Sequence, residues 1–140
     1  MPEQSERRID TFFYGLFMDA SLLHQSGVTP ANPRRAYVVD CALQIGQRAT
    51  LVNCEGARAF GMLMALTHAE LELLYRAPGL EEYRLEAVLA HTLEGTPVPA
   101  LCYNLLGTPR PEERNPEYAM RLRTTLNTLG FPREYVDSIA

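Results

Sequence analysis

The stretch from Arg58 to Leu66 constrains the fold more than any other. After the arginine it runs Ala59-Phe60-Gly61-Met62-Leu63-Met64-Ala65-Leu66 without a polar side chain. A run this short falls well below the about 20 residues that cross a membrane as a helix. It is also too continuous for a strand with one wetted face, so it reads as a strand covered on both sides. The chain has 140 residues and must supply both covers from one domain, residues 1–140, with residues 1–9 expected as a flexible, polar N-terminus. At this length roughly 70% of the unfolded surface can be buried, so folding requires neither a disulfide nor a metal.

Composition narrows the class further. Hydrophobic residues make up 46% and charged residues 21% of the chain, which excludes disorder or coiled coil as the main state. Against 17 acidic residues stand 13 basic ones, a formal net charge of −4 that gives no overall attraction to nucleic acid or anionic lipid. Neither is expected as a partner, and Arg7-Arg8 and Arg34-Arg35 read as solvated pairs. Every basic residue is arginine, which excludes lysine Schiff-base chemistry. Cys41, Cys54 and Cys102 form no Cys-x-x-Cys pair, and an odd count suits a reducing compartment. The polar start does not read as a signal peptide, so a cytoplasmic location is expected.

Read along its length, the chain opens with an aromatic strand, Thr11–Phe17, stopping at or soon after Gly15. Asp19 then caps a short helix that Gly27 ends, and the prolines from Val28 to Arg35 predict a loop. Strands follow at Ala36–Ile45, Arg48–Asn53 and Arg58–Leu66, the last two separated by a turn at Glu55-Gly56. Thr67 and Glu70 form a capping-box pair for a helix through about Arg76, which Pro78-Gly79 breaks. Strands at Glu82–Thr92 and Val98–Leu105 make a hairpin across Glu94-Gly95, with Tyr83, Leu85, Ala87 and Leu89 on one face. Asn115 and Pro116 open a helix that stops at Gly130, and a last short helix follows Pro132. Five or six strands with few helices predict an α+β fold with a small mixed, possibly closed sheet.

Little here carries chemistry in its own right. The histidines His24, His68 and His91 and the three cysteines have no ligand spacing, and no metal or cofactor is expected. Ser21, Ser26 and Ser138 lack a nucleophile-elbow context. The informative segment is Tyr14-Gly15-Leu16-Phe17-Met18-Asp19, where a glycine at a strand-to-helix junction lets backbone approach a ligand.

That segment resembles the first strand and substrate loop of the gamma-glutamyl cyclotransferase superfamily. The resemblance continues through Arg58–Thr67, Tyr83 and Val98–Tyr103, then Asn115-Pro116-Glu117-Tyr118 and Gly130-Phe131-Pro132-Arg133-Glu134-Tyr135. It covers residues 11–137 and implies a small mixed β-barrel with a few flanking helices. It also implies a ligand carrying an amino-acid or gamma-glutamyl group, held by Tyr14, Gly15, Leu16, Phe17, Met18, Tyr83 and Tyr103. Such enzymes release 5-oxoproline when the substrate's α-amine attacks its own γ-carbonyl, and one buried carboxylate can serve both proton transfers. The resemblance places that glutamate where this chain has Pro78, followed by Gly79. Proline exchanges no proton. Three readings follow in order: a diverged protein binding a small amino-acid-like molecule, an active cyclotransferase with Glu82 or Glu81 as substitute base, and a structural interaction module.

Overall fold

The computed structural model describes residues 7–76 and 80–140. Its strands are β1 (Arg8–Phe13), β2 (Ala31–Ile45), β3 (Ala49–Thr67), β4 (Tyr83–Thr92) and β5 (Pro97–Leu105). The helices are α1 (Ala20–Gln25), α2 (His68–Leu74), α3 (Pro116–Thr128) and α4 (Arg133–Ser138), with a 3-10 turn at Leu16–Met18. The strands close into a barrel in the order β1-β3-β2-β4-β5. β1 lies antiparallel to β3 and parallel to β5, so the sheet is mixed and the fold is α+β, as expected. Closure gives β1 and β5 a seam at Thr11 and Leu101, and joins β2 to β4 from Ala36 to Val38, so each described strand has a neighbour on both sides. Among the described residues no helix is long and apolar enough to cross a membrane.

The apolar run sits where its composition requires. Ala59 and Leu63 point into the barrel beside Phe12, Tyr14, Val38 and Cys102. Met62, Met64 and Leu66 point the other way, against Leu23 of α1, Leu71 of α2 and Leu122 and Leu126 of α3. β3 thus separates two cores, and each face of the run is covered.

The fold departs from expectation in three places, two of them at backbone irregularities. Arg8 and Ile9, expected outside the fold, are the first residues of β1. The segment expected as a loop at Val28–Arg35 instead enters β2 at Ala31, because Asn32 adopts φ +55 and a register shift between Ala31 and Arg34 accommodates Pro33 at a bulge. Arg48–Asn53 and Arg58–Leu66 are one strand rather than two. The Glu55-Gly56 signal marks a bulge opposite Asp40, where the partner of β2 jumps from Arg58 to Asn53. Asp40 has φ +58, and its carboxylate accepts the Gly56 N–H at 2.9 Å.

The capping signals translate directly into helix starts. Asp19 accepts the Ser21 N–H at 2.9 Å, and Asn115 accepts that of Tyr118 at 3.2 Å with Pro116 in the first turn. At α2 the Thr67 hydroxyl accepts the Glu70 N–H at 3.1 Å, while the Glu70 carboxylate accepts the Thr67 N–H at 2.9 Å. The other Glu70 oxygen accepts the Thr29 N–H at 3.0 Å, which ties the start of α2 to the approach of β2. Thr67→Ala is expected to lower stability by about 1 kcal/mol in urea unfolding. An unchanged midpoint would show that solvent replaces the cap at no cost.

Candidate functional site

A cavity of about 270 Å³ opens where β1 ends. Its wall is built from Phe12, Phe13, Tyr14, Gly15, Leu16 and Phe17 on one side, and from Tyr75, Leu80, Tyr83, Tyr103 and Tyr118 on the other. Leu22 and the β2–β3 turn residues Gln47, Arg48 and Ala49 complete it. Of the residues expected to hold a ligand, Tyr14, Gly15, Leu16, Phe17, Tyr83 and Tyr103 therefore meet around one space. Met18 does not line it, because the 3-10 turn points that side chain into the core between sheet and helices.

The tyrosines are anchored by backbone carbonyls. Tyr14 donates its hydroxyl to Tyr103 O at 2.7 Å, and Tyr83 donates to Ala49 O at 2.5 Å. Tyr75 stacks on Tyr103 with ring centroids 3.5 Å apart and planes 16° from parallel, while Phe17 meets Tyr75 edge-on at 6.1 Å. Burial holds the Tyr14 and Tyr75 phenols far above their ordinary ionisation range. Tyr83 is pushed up to about 12 by burial and by neighbouring Tyr118, against the pull of Arg48. These rings are neutral near neutral pH and have no tendency to act as bases.

Gly15 is extended at φ −111, so its lack of a side chain concerns space rather than backbone conformation. A Cβ at that position would run into the Tyr118 hydroxyl. The volume that the sequence reading assigns to a closely approaching ligand is thus held by Tyr118, whose oxygen also faces the backbone N–H of Leu16. The Gly15 carbonyl accepts the Met18 N–H at 3.0 Å, closing a turn only three residues long.

Among the described residues that line the cavity there is no carboxylate, imidazole or thiol, and Arg48 alone is charged. Glu82 lies outside the lining with its side chain 66% exposed, and it forms an ion pair with Arg48. Glu81 is exposed too, and its backbone carbonyl accepts from Arg84 at 2.9 Å. Pro78 and Gly79 lie outside the described residues. Glu86 accepts from the buried Asn104 amide at 2.8 Å and does not line the cavity. Cys102 is buried in the barrel and Cys54 is exposed. Because Cys41 pairs with Asn53, Cys54 sits one position out of register with it. No group of three His, Cys, Asp or Glu side chains among the described residues could hold a metal ion.

Sequence reasoning missed Tyr75, Tyr118, Gln47 and Arg48. Tyr75 and Tyr118 follow helix-cap motifs that were visible, but which way they project depends on how α2 and α3 pack. Arg48 and Gln47 reach the cavity through the tightness of the β2–β3 turn, where the Gly46 N–H donates to Arg48 O at 3.0 Å. No local pattern announces that reach.

No protein-family model matches the sequence, and no curated protein matches it. Solved structures do resemble the fold. A human protein described as uncharacterized superposes with a TM-score of 0.80 at 20% identity, covering 96% of this chain and 89% of its own. A structure described as gamma-glutamyl cyclotransferase gives 0.76 at 18% identity, over 95% and 88% of the two chains. YkqA from Bacillus subtilis gives 0.73 at 19% identity, over 96% of this chain and 53% of that one.

Proposed function

We propose, from a barrel of the gamma-glutamyl cyclotransferase type with this cavity in its wall, that the chain is a diverged relative. In this reading it binds a small amino-acid-like molecule and lacks the base of the cyclisation reaction. The observation that carries it is the lining, where the described residues offer phenols, phenyl rings and one guanidinium but no carboxylate. Cyclisation needs a group that takes a proton from an ammonium and delivers one to a leaving amine. Tyrosines with raised pKa values cannot take that proton at neutral pH, and arginine does not release one. A cavity of about 270 Å³ lies just under the size range of drug-like ligands and suits a single amino-acid residue. The unpaired cysteines suit a reducing cytoplasm.

Incubation with a panel of gamma-glutamyl amines and gamma-glutamyl amino acids is expected to release no 5-oxoproline. At least one gamma-glutamyl amino acid, whose second residue is N-acylated and keeps its carboxylate, is expected to raise the melting temperature, since a ligand that binds only the folded form must stabilise it. Turnover that disappears in Glu82→Ala or Glu81→Ala would replace this reading with that of an active enzyme. Neither turnover nor a thermal shift would favour the interaction module. Pro78→Glu, which restores a carboxylate at the position the resemblance assigns to it, is expected to raise release by about 100-fold over background.

A further inference from the structure

The identity of the bound molecule can be narrowed by asking which charges the site can satisfy, an inference that rests on the amino-acid-binding reading above. Arg48 lines the aromatic cavity and also a neighbouring groove of about 420 Å³, which Glu82, Arg84 and Glu113 border as well. Glu82 belongs to the groove alone. Arg48 thus belongs to both an apolar chamber and a polar one: its side chain pairs with Glu82, which borders the polar groove, and acts on the Tyr83 phenol, which lines the cavity.

The turn that carries Arg48 is fixed from outside. Glu113 accepts the Gln47 N–H at 3.0 Å, and the Asn115 amide donates to Gln47 O at 3.0 Å. A cation so placed meets an incoming carboxylate with little backbone ordering left to do. The Arg48–Glu82 pair is solvent-exposed, and exposed ion pairs are weak, so a ligand carboxylate can take the place of Glu82 at small cost.

A free ammonium group fares differently. The described lining holds no acid to receive it, and an unpaired buried charge is strongly disfavoured. Aromatic walls can hold cations over their faces. Here, however, Tyr75 and Tyr103 spend facing surfaces on each other, and Arg48 repels a like charge. The Tyr14 and Tyr83 hydroxyls, which donate to backbone carbonyls, offer an ammonium only neutral phenol oxygens as acceptors and no negative charge to pair with it.

We infer that the cavity takes an amino acid whose nitrogen is acylated and uncharged and whose side chain is large and apolar, with Arg48 exchanging Glu82 for the ligand carboxylate. Calorimetric titration of the full chain with N-acetylphenylalanine, its neutral amide, and the cationic phenylalanine amide tests this. The first should bind about tenfold or more tightly than the second, with the third weakest. Glu82→Gln, which removes the competing carboxylate, should tighten N-acetylphenylalanine by about threefold. Arg48→Met, shown by thermal melting to be folded, should abolish the preference for the acid over its amide. The inference is overturned if either amide binds as well as the acid, if Glu82→Gln weakens binding, or if Arg48→Met leaves the preference intact. If all three compounds and gamma-glutamylphenylalanine fail to bind, the amino-acid-binding reading itself falls.

Discussion

Replacing Gly61 with valine is expected to destabilise the protein by about 3 kcal/mol or more, a large share of the roughly 5–15 kcal/mol that holds a domain folded. Gly61 pairs with Ala36 on β2, next to the Met62–Phe13 pair between β3 and β1. A Cβ there would collide with the Phe13 carbonyl oxygen and would come within 3.0 Å of its carbonyl carbon and 2.9 Å of Phe12 Cζ. The obstacle is mostly main chain, which has no alternative rotamer to adopt. Accommodating the branch means parting β1 from β3, and with them the wall that carries Tyr14. Gly107 is the natural control, since a Cβ there meets nothing within 4 Å and Gly107→Ala is expected to stay within about 0.5 kcal/mol of wild type. Matching urea midpoints for Gly61→Val and wild type would mean that the two strands do not approach so closely.

Alkaline titration should produce the next largest effect. Of 7 tyrosines, Tyr14, Tyr75, Tyr83, Tyr103, Tyr118 and Tyr135 all have phenols raised above the ordinary value of 10.0, with burial the first cause in each case. The folded state therefore favours the neutral rings more than the unfolded state does. Their contribution to stability is fully present below pH 10 and is lost as pH rises through the folded-state values. For Tyr135, pushed up to about 12, the loss is on the order of 3 kcal/mol. Tyrosinate absorbance from these six rings should thus emerge together with loss of the circular dichroism signal, as one transition above pH about 10. Smooth titration of all six near pH 10 with the dichroism unchanged would show that the cavity wall is wet.

The fold was legible where one segment decides its own environment. The two-sided burial of Arg58–Leu66, the capping pair Thr67 and Glu70, and the Asn115-Pro116 helix start all depend on nearby residues, and they appear where expected. The Val28–Arg35 and Glu55-Gly56 signals read as a loop and a turn, but Asn32 and Gly56, with positive φ, sit at bulges, because positive φ serves turns and bulges alike. Only the partner strand determines which of the two forms, and partner strands are distant in sequence. β4 shows the same limit. Leu85, Ala87 and Leu89 do share a face, but it is the outer one, with Leu85 46% and Leu89 52% exposed. Alternation reports that two faces differ, not which one the barrel encloses.

The candidate site divides along the same line. Tyr14, Tyr83 and Tyr103 belong to a chain-wide pattern that assigns them to ligand contact; Tyr118 belongs to it only as part of a helix start, and, like Tyr75, it reaches the cavity through helix docking that no local signal encodes. The exposure of Glu82 follows from its position ahead of β4, where its carboxylate turns to Arg48 rather than inward.

The parallel seam between β1 and β5, joined at Thr11 and Leu101, brings together the first and last strands of the sheet. A ribosome making this chain releases β1 early and must finish β5 before the cylinder can shut. Throughout that interval the nascent sheet carries two bare rims, each able to zip onto a neighbouring copy emerging from the same polysome. Crowded translation is therefore the period when this protein is most exposed to misassembly, and slowing initiation should raise its soluble yield more than cooling the finished product.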